Sequence, residues 1–232
     1  ALSQAIGDIL PIARAQATKA KRVRLLCTFG IGSELWDQLS PTKRPAGLRA
    51  FRAIKANGRV APATGGDLFV QITSGRHDLN LDLAMGLVRR LQPLAAVAEE
   101  IHGFQYRDSR DLPGFIDGAE NPKGKVRAAA ALIGEEDRLF AGGSYVAVQR
   151  YVHDLERWRR LDDREQEQII GRTKRGSVEL PKNKKPQTAH ISRVVIERDG
   201  AELQILRQSY PWGTVHEAGL YFAAYTKSLD VF

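Results

Sequence analysis

A segment rich in glycine and proline divides this chain near its middle. Residues 111–124 read Asp-Leu-Pro-Gly-Phe-Ile-Asp-Gly-Ala-Glu-Asn-Pro-Lys-Gly. Proline removes a backbone donor and glycine weakens regular elements, so this density excludes a continuous helix or a central strand. Regular structure must therefore be built on either side of the segment. We predict two domains, residues 1–110 and residues 111–232.

One acid in this segment, Asp117, lies between Ile116 and Gly118. Phe115 and Ile116 indicate that the loop is partly buried. Desolvation can move the pKa of a carboxyl group towards neutrality, so Asp117 is a candidate acid/base catalyst. The alternative is an Asx turn, in which Asp117 accepts hydrogen bonds from backbone N–H groups. The pattern alone leaves both interpretations open.

Composition limits the function classes. The 232 residues are 43% hydrophobic and 27% charged, which is typical of a soluble globular protein. No apolar run approaches the roughly 20 residues that span a bilayer, and the N-terminus does not resemble a signal peptide. The single cysteine, Cys27, excludes a disulfide framework and fits a reducing compartment. We therefore expect a cytoplasmic protein with no membrane partner.

The net charge of +8 raises the question of nucleic-acid binding. The basic residues are spread along the chain and mixed with acids, and the densest basic stretch, 182–185, is short. Nucleic-acid binding is therefore not expected. A positive field of this kind also favours anionic small molecules, including cofactors that carry carboxylates.

The order of predicted elements favours an α+β fold. Helices are expected over residues 4–19 (with a kink or restart at Pro11), 82–99 (bent or divided by Pro93) and 155–172. Strands are expected over residues 22–30, 67–74, 101–107, 143–153, 191–197, 203–207 and 219–226. Such mixed order is typical of antiparallel sheets covered by peripheral helices. We predict two ferredoxin-like modules, in an arrangement like a dimeric α+β barrel, with segments missing at both ends.

Two residues of the second half are candidates for chemistry. His190 follows a polar loop and precedes a predicted strand, where an imidazole could reach a cofactor iron; the alternative is a half-exposed histidine bonded to loop backbone. Arg207 interrupts an apolar strand and needs an anionic partner or a ligand; the alternative is an edge-strand arginine that reaches solvent. Counted from the hairpin signal Asp199-Gly200, Arg207 would pair with the strand after His190 and lie near Ser192, close to His190.

Other common sites find no support in the sequence. The five histidines include no pair spaced four residues apart, and one cysteine cannot supply the usual structural zinc sites. Neither a Walker motif nor a complete dinucleotide-binding glycine pattern occurs. Zinc-dependent and nucleotide-dependent functions are therefore not predicted.

Three motifs, taken in order, resemble those of a known family. They are Gly114-Phe-Ile-Asp-Gly118, Thr188-Ala-His-Ile-Ser-Arg193 and Ile205-Leu-Arg-Gln-Ser209. Four further segments match, at residues 99–104, 142–150, 170–174 and 219–225. The chain thereby resembles the dye-decolourising peroxidases, and most closely their compact bacterial class B branch. It departs from many relatives in having Ala119 where they carry threonine.

The resemblance implies one haem b per chain. His190 would bind the iron, while Asp117 and Arg207 would lie on the opposite face, as acid/base and as stabilising cation. The family's acidic partner of the iron-binding histidine would lie in a C-terminal segment missing here. Residues expected to surround the cofactor are Phe115, Ile116, Gly118, Glu120, Asn121, Arg172, Ile191, Arg193, Ser209, Leu220 and Phe222.

The implied activity is reduction of hydrogen peroxide with one-electron oxidation of dyes, phenolic compounds or other organic reductants. Trp36, Trp158 and Trp212 are candidate electron relays, or ordinary packing aromatics. A homo-oligomer is expected, and an encapsulin shell, a cytoplasmic protein nanocompartment, is a candidate partner. Two alternatives remain: a haem-binding or iron-release (deferrochelatase-like) protein with incidental peroxidase activity, and a ferredoxin-like interaction module without haem.

Overall fold

The computed structural model describes residues 1–198 and 200–232. The chain forms two compact units, residues 1–100 and residues 101–232. Both combine helices with small antiparallel sheets, so the predicted α+β class is confirmed. The domain division predicted at residue 110 stays a prediction. No helix in the described part of the chain is long and apolar enough to cross a membrane.

The first unit places helices around a two-stranded sheet. Its helices are α1 (Leu2–Gly7), α2 (Ile9–Lys19), α3 (Ser33–Leu39) and α4 (His77–Leu91). Its strands are β1 (Leu26–Ile31), β2 (Ile54–Ala56), β3 (Arg59–Ala61) and β4 (Leu68–Thr73). Strands β1 and β4 pair antiparallel, with Phe29 opposite Val70. Ile9 of α2 and Leu83 of α4 are almost fully buried in the core beneath them.

Three predictions for the first unit need correction. The first helical region breaks at Asp8 and not at Pro11, because Pro11 is the third residue of α2, where its missing N–H costs no helical hydrogen bond. The helix predicted over 82–99 is wrong at both ends: α4 begins at His77 and stops at Leu91, before Pro93. Strand β1 is shorter than predicted and partly exposed.

The second unit is built around one long strand. Its helices are α5 (Gly124–Ala131), α6 (Leu155–Arg159), α7 (Asp163–Ile170) and α8 (His190–Val194). Short 3-10 helices occupy Arg107–Ser109, Glu135–Phe140 and Leu229–Val231. Its strands are β5 (Tyr145–Val152), β6 (Glu197–Arg198), β7 (Ala201–Glu202), β8 (Leu206–Arg207), β9 (Tyr210–Gly213) and β10 (Ala218–Thr226). Strand β10 pairs antiparallel with β5, β8 and β9, so it organises the sheet.

The two faces of this sheet have different surroundings. One face packs Leu206, Ala223 and Tyr225 against Ala131 of α5. Side chains alternate along a strand, so the opposite face of β10 carries Leu220 and Phe222. That second face is the one relevant to the site.

Several predictions for the second unit are wrong. Residues 101–107 form only isolated bridges, such as Gly103 to Trp212. The helix predicted over 155–172 is two helices, because a capping box at Asp162 begins α7.

The predicted strand 191–197 is also wrong, since His190 begins α8. Asp199 lies outside the described residues, but β6 and β7 pair on either side of it. The predicted strand 203–207 is reduced to β8, where Arg207 lies opposite Ala224 of β10 and not opposite Ser192.

Candidate active site

Residues 109–117 form a tight antiparallel turn that includes the start of the glycine- and proline-rich segment. We call this turn the Asp117 hairpin. The Asp117 N–H donates to the Ser109 carbonyl (3.0 Å), and the Asp111 N–H donates to the Phe115 carbonyl (2.8 Å). Arg110 and Ile116 pair between these two bonds. The hairpin fixes the backbone of Asp117 at its end.

Asp117 is half-buried at the end of this hairpin. Its Oδ1 accepts a hydrogen bond from the Gly118 N–H at 2.7 Å. Gly118 has φ of +69°, a backbone conformation that glycine adopts without the strain of a Cβ. Asp117 thus bonds the next backbone N–H and not the one two residues on that an Asx turn would use, and this bond occupies one of its two carboxylate oxygens.

A second carboxyl group, Asp111, lies at the tip of the same hairpin. Its Oδ1 accepts a hydrogen bond from the Phe115 N–H at 2.8 Å, which closes the turn. The pKa of Asp111 is raised to about 6: burial is the largest cause, the backbone N–H donors oppose it, and the negative charge of Asp117 adds to it. The hairpin thus contains two interacting acids, one of which titrates near neutrality.

Arg207 lies in β8, on the sheet face that also carries Phe222. Residues paired across strands point to the same side, and Arg207 pairs with Ala224, two residues from Phe222. Its Nε is buried and has no hydrogen-bond partner among the described residues. A buried guanidinium nitrogen without a partner indicates a position prepared for an acceptor that is not part of the chain.

Asn121 connects the Asp117 segment to Arg207. Its Nδ2 donates to the Arg207 carbonyl (2.9 Å), and its Oδ1 accepts from the Arg207 N–H (2.9 Å). The backbone of Arg207 is therefore held directly by the glycine- and proline-rich segment, 86 residues earlier in the chain.

His190 is the first residue of α8. Its ring is solvent-accessible, while the protein packed around it still removes part of its hydration. Burial lowers the pKa of His190, the positive charge of Arg207 lowers it further, and the negative charge of Asp117 opposes both. The neutral imidazole favoured by this environment is the form that binds metals. Asp117 and Arg207 are thus both close enough to His190 to act on it electrostatically.

The remaining predicted site residues divide into two groups. Leu220 and Phe222 of β10 are half-buried on the Arg207 face. The hydroxyl of Ser209, which lies between β8 and β9, accepts a hydrogen bond from the Ala223 N–H at 3.2 Å. Arg193 is exposed in the last turn of α8.

Phe115, Ile116, Glu120, Arg172 and Ile191 have protein partners. Phe115 is buried edge-on against Trp158, and Ile116 pairs with Arg110. Arg172 binds Glu120 and donates to the Ser177 carbonyl. Ile191 packs beside Gly171.

This arrangement fits haem better than a bare metal ion. No group of three histidine, cysteine or acidic side chains in the described part of the chain could hold a metal by itself. Haem iron needs only one or two protein ligands, which His190 can begin to supply. Leu220 and Phe222 add apolar side chains to the sheet face that carries Arg207. The buried Nε of Arg207 has no hydrogen-bond partner among the described residues and offers a polar donor there.

Comparison with known proteins decides the family. Residues 6–105 match the description "Dyp-type peroxidase, N-terminal", and residues 108–232 match "Dyp-type peroxidase, C-terminal". This chain belongs to the Dyp-type peroxidase family. The resemblance predicted from the three motifs is therefore confirmed.

A curated Dyp-type relative shares sequence across nearly all of the chain. A dye-decolorizing peroxidase of Mycolicibacterium paratuberculosis is 40% identical over 228 residues, which is 97% of this chain and 64% of the relative. The chain thus spans less than two thirds of that relative's length.

Solved Dyp-type structures agree with the fold. The encapsulated DyP-type peroxidase of Mycobacterium smegmatis, determined by cryo-EM, has a TM-score of 0.95 at 41% identity, covering 98% of this chain and 75% of its own. A variant of DypB from Rhodococcus jostii RHA1 in complex with heme has a TM-score of 0.94 at 38% identity, covering 100% and 78%. The predicted ferredoxin-like α+β architecture is confirmed by these matches.

Sequence reasoning missed two residues that shape the Dyp-type site, Arg110 and Asp111. The spacing of Asp111 before Gly114 and Phe115 is a recognisable turn signal, so its role was accessible. Within the part of the chain that the structure describes, the Arg110 side chain donates to the backbone carbonyls of Gly114 and of residues 174–175. Every residue has a backbone carbonyl, so no pattern of side chains in the sequence identifies the carbonyls that Arg110 bonds.

Proposed function

We propose that this protein is a haem-dependent peroxidase that reduces hydrogen peroxide and oxidises dyes, phenolic compounds or other organic reductants in one-electron steps. Family membership and the haem-containing DypB relative support this proposal. Bound haem would supply a redox-active iron. The relatives' names favour peroxidase chemistry over haem carriage or iron release.

The chain's own residues have distinct roles in this proposal. His190 would bind iron through its neutral imidazole. Asp117 would accept a proton from hydrogen peroxide and return it to the departing oxygen, which requires a positioned carboxylate. Arg207 would stabilise the negative charge that develops on that oxygen, because a permanent cation is most effective where water is excluded.

The observation that carries the proposal is the buried Nε of Arg207, which has no hydrogen-bond partner among the described residues and lies on the sheet face that carries Phe222; the charges of Arg207 and Asp117 both act on the pKa of His190. Haem carriage needs the histidine alone. An acid and a buried cation near this histidine, with the Nε of the cation lacking a partner among the described residues, support promoted bond cleavage over haem carriage alone.

The test uses the full-length protein loaded with haem. The Soret band reports iron binding, and stopped-flow absorbance reports the reaction with hydrogen peroxide. We expect His190→Ala to lose the ligated Soret spectrum and Arg207→Leu to slow the peroxide reaction by about 10²-fold or more. Asp117→Asn should also slow it.

Arg159→Leu, which changes an exposed arginine in α6, is the matched control and should react like the unmodified protein. An unchanged Soret spectrum in His190→Ala would exclude the proposed iron ligand. A full rate in Arg207→Leu would remove its assigned role.

Assembly and location extend the proposal. We infer a cytoplasmic homo-oligomer that is carried inside an encapsulin shell, supported by the encapsulated relative from Mycobacterium smegmatis. Size-exclusion chromatography of cell extract, followed by assay of peroxidase activity in the shell-sized fraction, tests it. Activity found only in small particles would contradict encapsulation.

A further inference from the structure

We propose that Arg110 is a positioning residue that fixes the Asp117 hairpin relative to the segment packed beside His190. This inference rests on the proposed function and deepens it, because it identifies what sets the spacing between the acid and the histidine. Arg110 itself makes no direct contribution to the chemistry.

Among the described residues, the side-chain hydrogen bonds of Arg110 go to backbone carbonyls. Its Nη1 donates to the Gly114 carbonyl at 2.9 Å, at the tip of the Asp117 hairpin. The same Nη1 donates to the Lys174 carbonyl at 2.7 Å, and Nη2 donates to the Arg175 carbonyl at 3.0 Å. A planar guanidinium can hold several acceptors in fixed directions at once. Arg110 therefore joins two chain segments that are about sixty residues apart.

The second of these segments is also a compact turn, here called the 171–180 hairpin. The Thr173 N–H donates to the Val178 carbonyl (2.8 Å), and the Leu180 N–H donates to the Gly171 carbonyl (2.9 Å). These bonds link the two arms of the hairpin. The tip that Arg110 contacts and the base at Gly171 therefore belong to one hydrogen-bonded element.

The base of the 171–180 hairpin touches both neighbours of His190. A Cβ added to Gly171 would lie 2.6 Å from Cγ1 of Ile191 and 3.2 Å from Cβ of Ala189. Gly171 also has φ of +92°, so a side chain there would be strained as well as crowded. The backbone of the hairpin thus packs directly against the start of α8.

These contacts form one continuous connection. Asp117 lies at the open end of its hairpin, Arg110 joins the tip of that hairpin to the tip of the 171–180 hairpin, and Gly171 contacts the residues that flank His190. Catalytic groups misplaced by about 1 Å can lose about 10²-fold in rate. Arg110 is therefore placed to control the relative position of the acid and the histidine.

A second tie joins the 171–180 hairpin to Glu120, which lies just beyond the Asp117 hairpin. The side chain of Arg172 is 12% exposed, but that of its partner Glu120 is 66% exposed. Ion pairs at such exposed positions are screened by solvent and contribute little. The part-buried bonds from Arg110 to Gly114 and Lys174 are thus the main connection.

The experiment compares Arg110→Ala and Arg110→Lys in the full-length protein with Arg175→Ala as control. Arg175→Ala removes a neighbouring guanidinium but keeps the carbonyl that Arg110 bonds. Hydrogen–deuterium exchange followed by mass spectrometry is read over residues 111–118 and 171–180. The Soret band and the dependence of kcat and KM on pH are measured on the same samples.

In Arg110→Ala we expect faster exchange in both hairpins, haem binding retained, and kcat lowered by about 10- to 100-fold with little change in KM. The lysine variant should recover part of the rate, because one ammonium can reach only some of the carbonyls. The control should match the unmodified protein in every readout. If Arg110→Ala does not fold, Arg110→Lys carries the test.

Unchanged exchange in residues 171–180 together with an unchanged kcat in either folded Arg110 variant would overturn the inference. Equal losses in Arg175→Ala would also overturn it, because they would indicate a general effect of charge. Failure of the unmodified protein to react with peroxide would instead reject the proposed function. In that case the exchange comparison still decides whether Arg110 joins the two hairpins.

Discussion

Each of the two units of this protein is stabilised internally in a different way. In residues 1–100 the core is a cluster of aliphatic side chains, with Ile9 and Leu83 almost fully buried. In residues 101–232 the segments that carry the candidate site are fixed by side chains that bond backbone groups, as Arg110 and Asn121 do. Burial is non-directional, whereas a hydrogen bond fixes direction and distance. Hydrogen bonds of the second kind therefore fix the direction and distance of the groups they hold.

The largest expected effect tests the first unit. Leu83→Ala should lower the free energy of unfolding by about 2–5 kcal/mol, because it leaves a cavity in a packed core. Leu83 is 1% exposed, whereas Met85 on the same helix is 43% exposed. Chemical denaturation of Leu83→Ala is compared with that of Met85→Ala, which should cost far less. Equal costs for the two would mean that burial does not dominate this unit.

The second prediction uses the pKa of Asp111 in the second unit. Its folded-state pKa of about 6 lies above the ordinary 3.8, so the folded state holds a proton that the unfolded state has lost. The stability contributed by that proton is complete below pH 4 and is lost as the pH rises through about 6. Asp111→Asn should therefore flatten this part of the pH profile and raise stability at pH 7 by about 2 kcal/mol.

Thermal denaturation between pH 4 and pH 8 measures the Asp111 effect. Asp82→Asn, a change at an exposed acid of α4, is the control and should leave the profile unchanged. If stability changed with pH in Asp111→Asn as it does in the unmodified protein, the tip of the Asp117 hairpin would be open to solvent.

A smaller loss is expected from Asn121→Ala, which removes both hydrogen bonds to the backbone of Arg207. We expect about 1–2 kcal/mol of lost stability, because two backbone groups lose their partner but gain access to water. Asn183→Ala, at an exposed loop position, is the same substitution without these contacts. If both variants had the same unfolding free energy, directional support of Arg207 would be unnecessary.

The smallest expected effect is a gain in the stability of the second unit. The Ser177 hydroxyl is buried and finds no hydrogen-bond partner among the described residues. Ser177→Ala should raise stability by about 0.5 kcal/mol, because an unsatisfied polar group no longer has to be desolvated. Differential scanning calorimetry of Ser177→Ala is compared with that of Ser74→Ala, whose hydroxyl bonds Asn80 at 2.7 Å and whose loss should destabilise. A clear loss in Ser177→Ala would contradict the assignment.

Elements with a strong local signal were predictable from sequence. The strands at 67–74, 143–153 and 219–226 are rich in β-formers and appear within about two residues of the expected bounds. His190 stays a predicted site residue, and the strand predicted after it is wrong, because the helix found there, α8, is too short to have a periodic signal. The position of Arg207 was likewise wrong, since a two-residue strand takes its register from β10 and not from a local turn.

What the sequence could not reveal is the set of long-range bonds to backbone. Arg110 finds carbonyls 64 and 65 residues away, and Asn121 finds Arg207 at a separation of 86 residues. Backbone acceptors are identical at every position, so no residue pattern marks them. The roles of Asp117, His190 and Arg207 in catalysis stay predictions.

The bond pattern at Asn121 has a consequence for solubility. A strand at the rim of a sheet offers unpaired N–H and C=O groups, which can template pairing with another molecule. At Arg207 both of these groups are bonded by a single amide side chain, which imitates the neighbouring strand that β8 lacks there. One asparagine thus closes this point of the rim against intermolecular β-pairing, and its loss would open a route to aggregation as well as loosening Arg207.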